Sequence, residues 1–277
     1  MPELAEVELA RRIWAQAEGE TIREIITNPK ARIFRDLPSR ALSSLKGKSI
    51  TGSKHHGKRM YFSFGDDFHL EIHLGMSGKV YQTDLAHEQQ KHDHLILKTN
   101  HRSLVLNDYR MFGRVMLHEG APPWLSLSPD PLSPKFNLKR VQSIIKKRPK
   151  KILKGALLDQ DLFPGLGNWM VDEICWRLGV HPAVSLGTVS AEKLYKEVKF
   201  VCKGAIKHIA DKNADALSKP QQLGFSAGGY VAEVPPKAWL FQHRWKKGGK
   251  CPKCNITLER ETIATRTTAW CSECQLS

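Results

Sequence analysis

Hydrophobic and polar positions follow three successive regimes along the chain. Behind Pro2, residues Leu4, Val7, Ile13 and Trp14 fall at helical spacing, and proline suits a first helical turn because its missing N–H is no loss there. The pattern predicts a helix to about Gly19. From 21 to 118 the apolar runs become short or alternating: 22–26, 49–52, 60–64, 69–74, 94–97, 103–106 and 114–117 read as strands. Gly, Asp and Asn clusters separate them at hairpin distances, which predicts an antiparallel sandwich or barrel. A Pro- and Ser-rich stretch, 121–134, reads as a linker. Beyond Leu138 the helical period returns, with Val141, Ile144 and Ile145, then 152–158, 169–178 and 190–210. Pro164-Gly165-Leu166-Gly167 interrupts it. The last runs, 256–258, 263–265 and 268–270, read as strands of a β-hairpin.

Charge adds a partner to this outline. The 277 residues carry 43 Lys and Arg against 28 Asp and Glu, a net charge of +15, and such an excess points to a polyanion, nucleic acid being the usual one. No apolar run approaches a membrane span and no basic-then-apolar leader opens the chain. No membrane partner is therefore expected, and the expected location is intracellular, in the cytoplasm or at the nucleoid or nucleus. Four of the six cysteines form two pairs, Cys251 with Cys254 and Cys271 with Cys274, sixteen residues apart. That spacing predicts one structural Zn²⁺ held by four thiolates with no open coordination position. Arg260, Arg266, Lys250 and Lys253 make the ribbon basic, suited to nucleic acid, although a ribbon for protein contact or stability has the same cysteines. Cys175 and Cys202 lie on predicted helices as small apolar residues.

The chain start carries candidate chemistry. Removal of Met1 would leave the secondary amine of Pro2 as the terminus; an α-amino group titrates near pH 8, so a useful fraction is nucleophilic in neutral water. Glu3 and Glu6, three apart, share a helix face beside it and can shuttle protons. Taken alone, the stretch fits an ordinary helix start, whose acids complement the dipole, better than a nucleophile. In the helical region, Gly165 and Gly167 let backbone N–H groups approach a phosphate at a helix N-terminus, and Asn168 adds a side-chain amide.

An amine at residue 2, a strand-rich domain, a helical Gly-x-Gly-Asn region and a four-cysteine ribbon, in this order from Pro2 to Cys274, resemble the formamidopyrimidine-DNA glycosylase / endonuclease VIII family. The start Pro-Glu-Leu-x-Glu-Val-Glu and the run His73-Leu74-Gly75-Met76-Ser77-Gly78 resemble the formamidopyrimidine branch. The resemblance implies an α+β chain: an antiparallel β-sandwich with a leading helix (1–120), a linker (121–136), a helix–two-turn–helix domain (137–222), and a loop with the zinc hairpin (223–277). It implies a monomeric, bifunctional DNA glycosylase/AP lyase that acts on damaged double-stranded DNA and removes oxidised bases, purines first. The rival readings are the same chemistry on oxidised pyrimidines or another lesion, and a damaged-DNA-binding protein without turnover.

Carried over residue by residue, the resemblance makes Pro2 the Schiff-base nucleophile, Glu3 the general acid/base and Glu6 a supporting carboxylate. Lys58 becomes a phosphate contact that assists β-elimination, and Arg266 the finger arginine that assists δ-elimination. Met76, Arg110 and Phe112 match the trio that fills the hole left by an extruded nucleotide. His92, Lys151, Lys154 and Asn168 match DNA contacts. The chain departs from the family pattern at Ala5 (usually proline), Met111 (usually basic) and Met170 (usually tyrosine). Segment 211–237 also lacks the Gly-Thr-Thr-type signature associated with capping 8-oxoguanine, and carries the Gly-rich run 219–230 in its place.

Overall fold

The computed structural model describes residues 2–28, 30–38, 40–212 and 234–276. The Gly-rich run 219–230 lies outside them. The chain divides into two compact units, Met1–Leu127 with Ala210–Ala232, and Ser128–Ile209 with Glu233–Ser277.

The first unit opens with helix α1 (Leu4–Ala15), three to four residues shorter than its apolar period allows because the chain turns over 16–19. Eight strands follow: β1 (Glu24–Thr27), β2 (Ile50–His56), β3 (Arg59–Phe64), β4 (Phe68–His73), β5 (Lys79–Thr83), β6 (Asp93–Lys98), β7 (Ser103–Asn107) and β8 (Arg114–Glu119). They form two four-stranded antiparallel sheets, ordered β1-β6-β7-β5 and β2-β3-β4-β8. Strand β5 was not expected; only Val80 and Gln82 of its five residues are buried, too few for a clear apolar alternation. Helix α1 touches both sheets through Trp14, whose ring lies 5.3 Å from Phe62 on β3 and whose Nε1 donates to the Tyr81 carbonyl on β5 at 3.2 Å.

The second unit holds α2 (Leu138–Lys147), α3 (Leu153–Leu158), α4 (Asn168–Leu178) and α5 (Ala191–Ala205), the last continuing as a π-turn over Ile206–Asp211. Its C-terminal hairpin pairs β9 (Glu259–Ile263) with β10 (Arg266–Trp270). Residues 263–265 were expected in a strand, but Ala264 and Thr265 form the turn, with φ of 50° and 63°. Two consecutive left-handed residues are what a two-residue type I′ hairpin requires, normally with Asn-Gly. Neither residue here advertises it.

Candidate active site and nucleic-acid interface

In the first unit the chain start is fixed rather than frayed. Glu3 is the N-cap of α1, and the Glu6 carboxylate reaches back to accept from the Glu3 backbone N–H at 3.2 Å, closing a reciprocal capping box. Pro2, Glu3 and Glu6 are all buried. One turn further on, Glu8 takes Arg11 at 2.7 Å, Arg12 at 2.7 Å and His55 at 2.7 Å. Burial alone would raise its carboxyl pKa, but the hydrogen bonds from Arg11 and His55 reverse this and hold it well below the usual range.

These contacts set α1 antiparallel to β2, since Arg11 also donates to Ser53 Oγ at 2.6 Å while Glu8 meets His55. Moving three residues back along the helix moves two forward along the strand. From Glu8 to Glu3 is about 7.5 Å of helical rise, a little over two strand residues at about 3.3 Å each. That extrapolation brings Glu3 level with Gly57 and Lys58 in the β2–β3 turn. Lys58 is half-buried.

Register then carries the site onward, because Arg59 pairs with His73 at the end of β4. His73 is pushed down to about 4 by burial first, then by the charges of Lys58 and Arg59, so it is neutral near pH 7. Its Nδ1 accepts from the Gly75 backbone N–H at 3.1 Å. The proton must therefore sit on Nε2, which leaves that nitrogen as a donor. Gly75 has φ of 62°, and a Cβ there would come within 2.4 Å of the Phe112 backbone, so only glycine lets the Met76 turn meet the 108–113 loop.

Buried Asp108 clasps those two segments together. One oxygen accepts from Ser77 Oγ at 2.5 Å, the other from the Gly113 backbone N–H at 2.7 Å, and its carbonyl lies 3.0 Å from His94 Nε2. The side chains it presents are unusually exposed for their type: Met76 and Phe112 at 44% and Tyr109 at 61%, with the Arg110 guanidinium 4.6 Å from the Phe112 ring centroid. Half-buried His92 sits nearby, its ring 6.4 Å from Tyr109. One end of the sandwich thus gathers Lys58, Met76, His92, Arg110 and Phe112. His73, Asp108 and Tyr109 also belong to this end, and although they stand inside the quoted motifs, only the fold shows Asp108 buried and Tyr109 exposed.

In the second unit, Cys251, Cys254, Cys271 and Cys274 place their sulfurs within 4.8 Å of one another. A tetrahedron of Zn–S bonds of about 2.3 Å separates sulfurs by about 3.8 Å. The Cys251–Cys274 sulfurs are 3.8 Å apart and the Cys254–Cys271 pair 3.4 Å, so the four thiols fit a closed zinc site. Trp176 Nε1 donates to Cys251 Sγ at 3.2 Å, and Trp176, Leu240 and Leu258 pack around the ligands.

Lys154 requires a correction. Expected at the DNA, it is completely buried, with Nζ 2.6 Å from Asp172 and 2.7 Å from Thr268 Oγ1. Asp172 also receives Arg244 through Nε at 3.1 Å and Nη2 at 2.5 Å, and the Ala269 backbone N–H at 3.1 Å. This ionic cluster joins α3, α4 and β10, and its lysine has no path to a phosphate. Lys151, by contrast, is half-exposed and paired with Asp159 at 2.5 Å. The Asn168 amide donates to the Thr267 carbonyl at 2.8 Å, which holds the hairpin end that displays exposed Arg266 against the start of α4. The Gly165 N–H, read as a phosphate donor, is already taken by Gln160 Oε1 at 3.0 Å.

Comparison with known proteins gives this arrangement a class. A family model for the formamidopyrimidine-DNA glycosylase N-terminal domain matches residues 1–115, the H2TH domain model of the same enzymes matches 127–215, and a transposase zinc-ribbon domain matches 236–277. Formamidopyrimidine-DNA glycosylases from Exiguobacterium sibiricum and Lactococcus lactis subsp. cremoris are 31% and 32% identical, over 287 and 291 residues and 99% of each chain. The fold is similar to that of Lactococcus lactis Fpg (MutM) in complex with DNA containing N7-benzyl-Fapy-dG (TM-score 0.80, 30% identity, 99% of both chains). It is also similar to that of the same enzyme bound to DNA with an AP site (TM-score 0.79, 29% identity, 99% of both chains). These matches define a DNA glycosylase of base-excision repair. The chain belongs to the formamidopyrimidine-DNA glycosylase family, whose members combine glycosylase and lyase activities.

Proposed function

We propose that this protein excises oxidised bases, purines first, from duplex DNA and cleaves the strand, with Pro2 as nucleophile once Met1 is removed. The observation that carries the proposal is the capping box: it fixes Glu3 at the helix start behind buried Pro2, on the same unit as half-buried Lys58 and the exposed Met76, Arg110 and Phe112. The target sugar C1′ cannot be reached inside a base stack, so the nucleotide must be extruded; Met76 and Phe112 then supply an apolar wedge and Arg110 hydrogen bonds to the widowed partner. The unprotonated amine attacks C1′ as the N-glycosidic bond breaks, and the departing base takes a proton from an acid, the role proposed for Glu3. Ring opening leaves an iminium between the Pro2 nitrogen and the sugar C1′. Removal of a C2′ proton expels the 3′ phosphate, and a second elimination expels the 5′ phosphate. Lys58, neutral His73 through its Nε2–H, and Arg266 are the proposed donors to these phosphates. Zinc holds the ribbon that displays Arg266; a closed four-thiolate site supplies structure rather than a reactive water.

Oxidised pyrimidines stay within reach as substrates, because Lactococcus lactis Fpg, similar in fold at TM-score 0.80 and 30% identity, has been solved with oxidised-pyrimidine DNA. Borohydride trapping tests the whole reading. The wild-type protein and Pro2→Gly are incubated with duplexes carrying an abasic site, 8-oxoguanine, a formamidopyrimidine or an oxidised pyrimidine. A covalent adduct that depends on Pro2 is expected, and its yield across the panel ranks the lesions. Tight binding with no adduct, even on the abasic duplex, would establish a damage-binding protein instead.

A further inference from the structure

The basic residues 146–148 and Lys150 have no part in the site described above. Two of them, Lys147 and Arg148, line a cleft of about 460 Å³ in the second unit, between α2 and the loop that precedes α4. Lys135 and Arg140 complete a set of four cations there, facing a single carboxylate, Asp161, among the described lining residues. Arg140, Ser143 and Lys147 recur at helical spacing, so one face of α2 looks into the cleft, with buried Ile144 also in its wall, while Val141 is turned to the core.

The arginine is held but not satisfied. Its Nη2 donates to the Asp161 carbonyl at 3.3 Å, whereas its Nε is shut away from solvent with no hydrogen-bond partner. The charge around the cleft, four cations to one carboxylate, suits an anionic ligand. The cleft volume exceeds what one tetrahedral anion fills and falls in the range of sites for nucleotide-sized ligands.

We propose that this cleft is a phosphate subsite separate from the Asn168 turn, taking sugar–phosphate backbone of the DNA outside the lesion. The inference rests on the DNA binding in the proposed function and not on the Pro2 chemistry. It gives the basic run a reason for its arrangement: Lys147 and Arg148 point to the ligand, and Lys146 and Lys150, outside the cleft lining, do not.

The test compares K147Q/R148Q with K146Q/K150Q, a control of equal charge change from the same exposed run. Binding to duplexes of about 10, 16 and 24 base pairs, each with a tetrahydrofuran abasic analogue, is followed by fluorescence anisotropy across a salt series, with thermal melts confirming the fold. The cleft variant is expected to lose about tenfold in affinity for the longest duplex and to flatten the salt slope by about 1.8, the release from two phosphates. The control variant should change far less. Equal losses in both variants would reduce the cleft to undirected surface charge, and no loss in either would remove it from the DNA path. Tripolyphosphate that raises the melting temperature of wild type but not of K147Q/R148Q, with DNA slopes unchanged, would reassign the cleft to free phosphates. A wild-type protein that binds none of the duplexes would instead overturn the DNA-binding reading on which the subsite rests.

Discussion

Replacing Lys154 by methionine separates a structural lysine from a DNA-binding one. In wild type, Lys154 Nζ joins Asp172 and Thr268, while Asp172 keeps two bonds from Arg244 and one from the Ala269 N–H. Methionine fills much of the same volume and removes a buried cation whose pKa is lowered, by desolvation first, against the raising pull of Asp172. Because Asp172 retains the Arg244 fork, the loss is limited to hydrogen bonds at Asp172 and Thr268, about 1–2 kcal/mol in all. At about 3 °C per kcal/mol for a chain of this length, the melting temperature should fall by roughly 3–6 °C. Asp172→Asn is the severe companion, since it strips the countercharge from both Lys154 and Arg244. Breaking a buried pair in that way costs about 3–5 kcal/mol, or roughly 9–15 °C. The decisive readout is the salt dependence of DNA affinity. A phosphate-contacting lysine contributes about 1 to the slope of log K against log salt. Lys154→Met should leave the slope unchanged while lowering the melting temperature. A slope reduced by about 1 with an unchanged melting temperature would refute the burial argument and return Lys154 to the interface.

Three other outcomes follow from the geometry. His73 is neutral when folded, with a pKa of about 4 against an ordinary 6.5, so the unfolded chain binds the extra proton first and stability falls as pH drops from about 6.5 to 4. The loss amounts to about 3 kcal/mol at the acid end, and urea melts of His73→Gln should show a flatter pH dependence there; an identical slope would discount the buried imidazole. Thr265→Gly should stabilise the hairpin by about 0.5–1 kcal/mol, because a non-glycine residue in the left-handed region costs about 1–2 kcal/mol and glycine returns part of that as chain entropy. Thermal melts with zinc present would show it as a small rise. Asp108→Asn keeps one acceptor but loses the charge that holds Ser77 and Gly113, so a loss of about 2 kcal/mol is expected together with weaker stacking into the vacated site, read from 2-aminopurine placed opposite an abasic analogue.

Much of this could be read from residue order, and for identifiable reasons. The sandwich strands alternate because each sheet buries one face, and the zinc site is stated outright by two Cys-x-x-Cys pairs. The leading helix is legible from Pro2 and the apolar spacing behind it, whereas Glu3 and Glu6 alone look like any acids at a helix start. Lys154 misled because a lysine in a basic stretch looks solvated whether or not it is; its partners, Asp172 and Thr268, lie eighteen and 114 residues away. Strand β5 was missed for want of buried positions, and the 264–265 turn because Ala and Thr carry no turn signal. Asp108 was visible as a letter, but its office as a clasp depends on a turn thirty-one residues earlier that only folding brings to it.

Chain ends usually fray, and a reactive group on a loose end would have to be gathered up at every turnover. Here Pro2, Glu3 and Glu6 are buried and the two carboxylates cap the helix reciprocally, so these residues have little freedom left to lose on reaction. On the proposed chemistry the amine is a fixed post, its conformational entropy surrendered once, during folding, rather than at each encounter. Whatever bending, unstacking and rotation brings a sugar to it must be done by the nucleic acid. Discrimination between lesions then becomes partly a contest in how readily each damaged step of DNA deforms, decided before any base is touched.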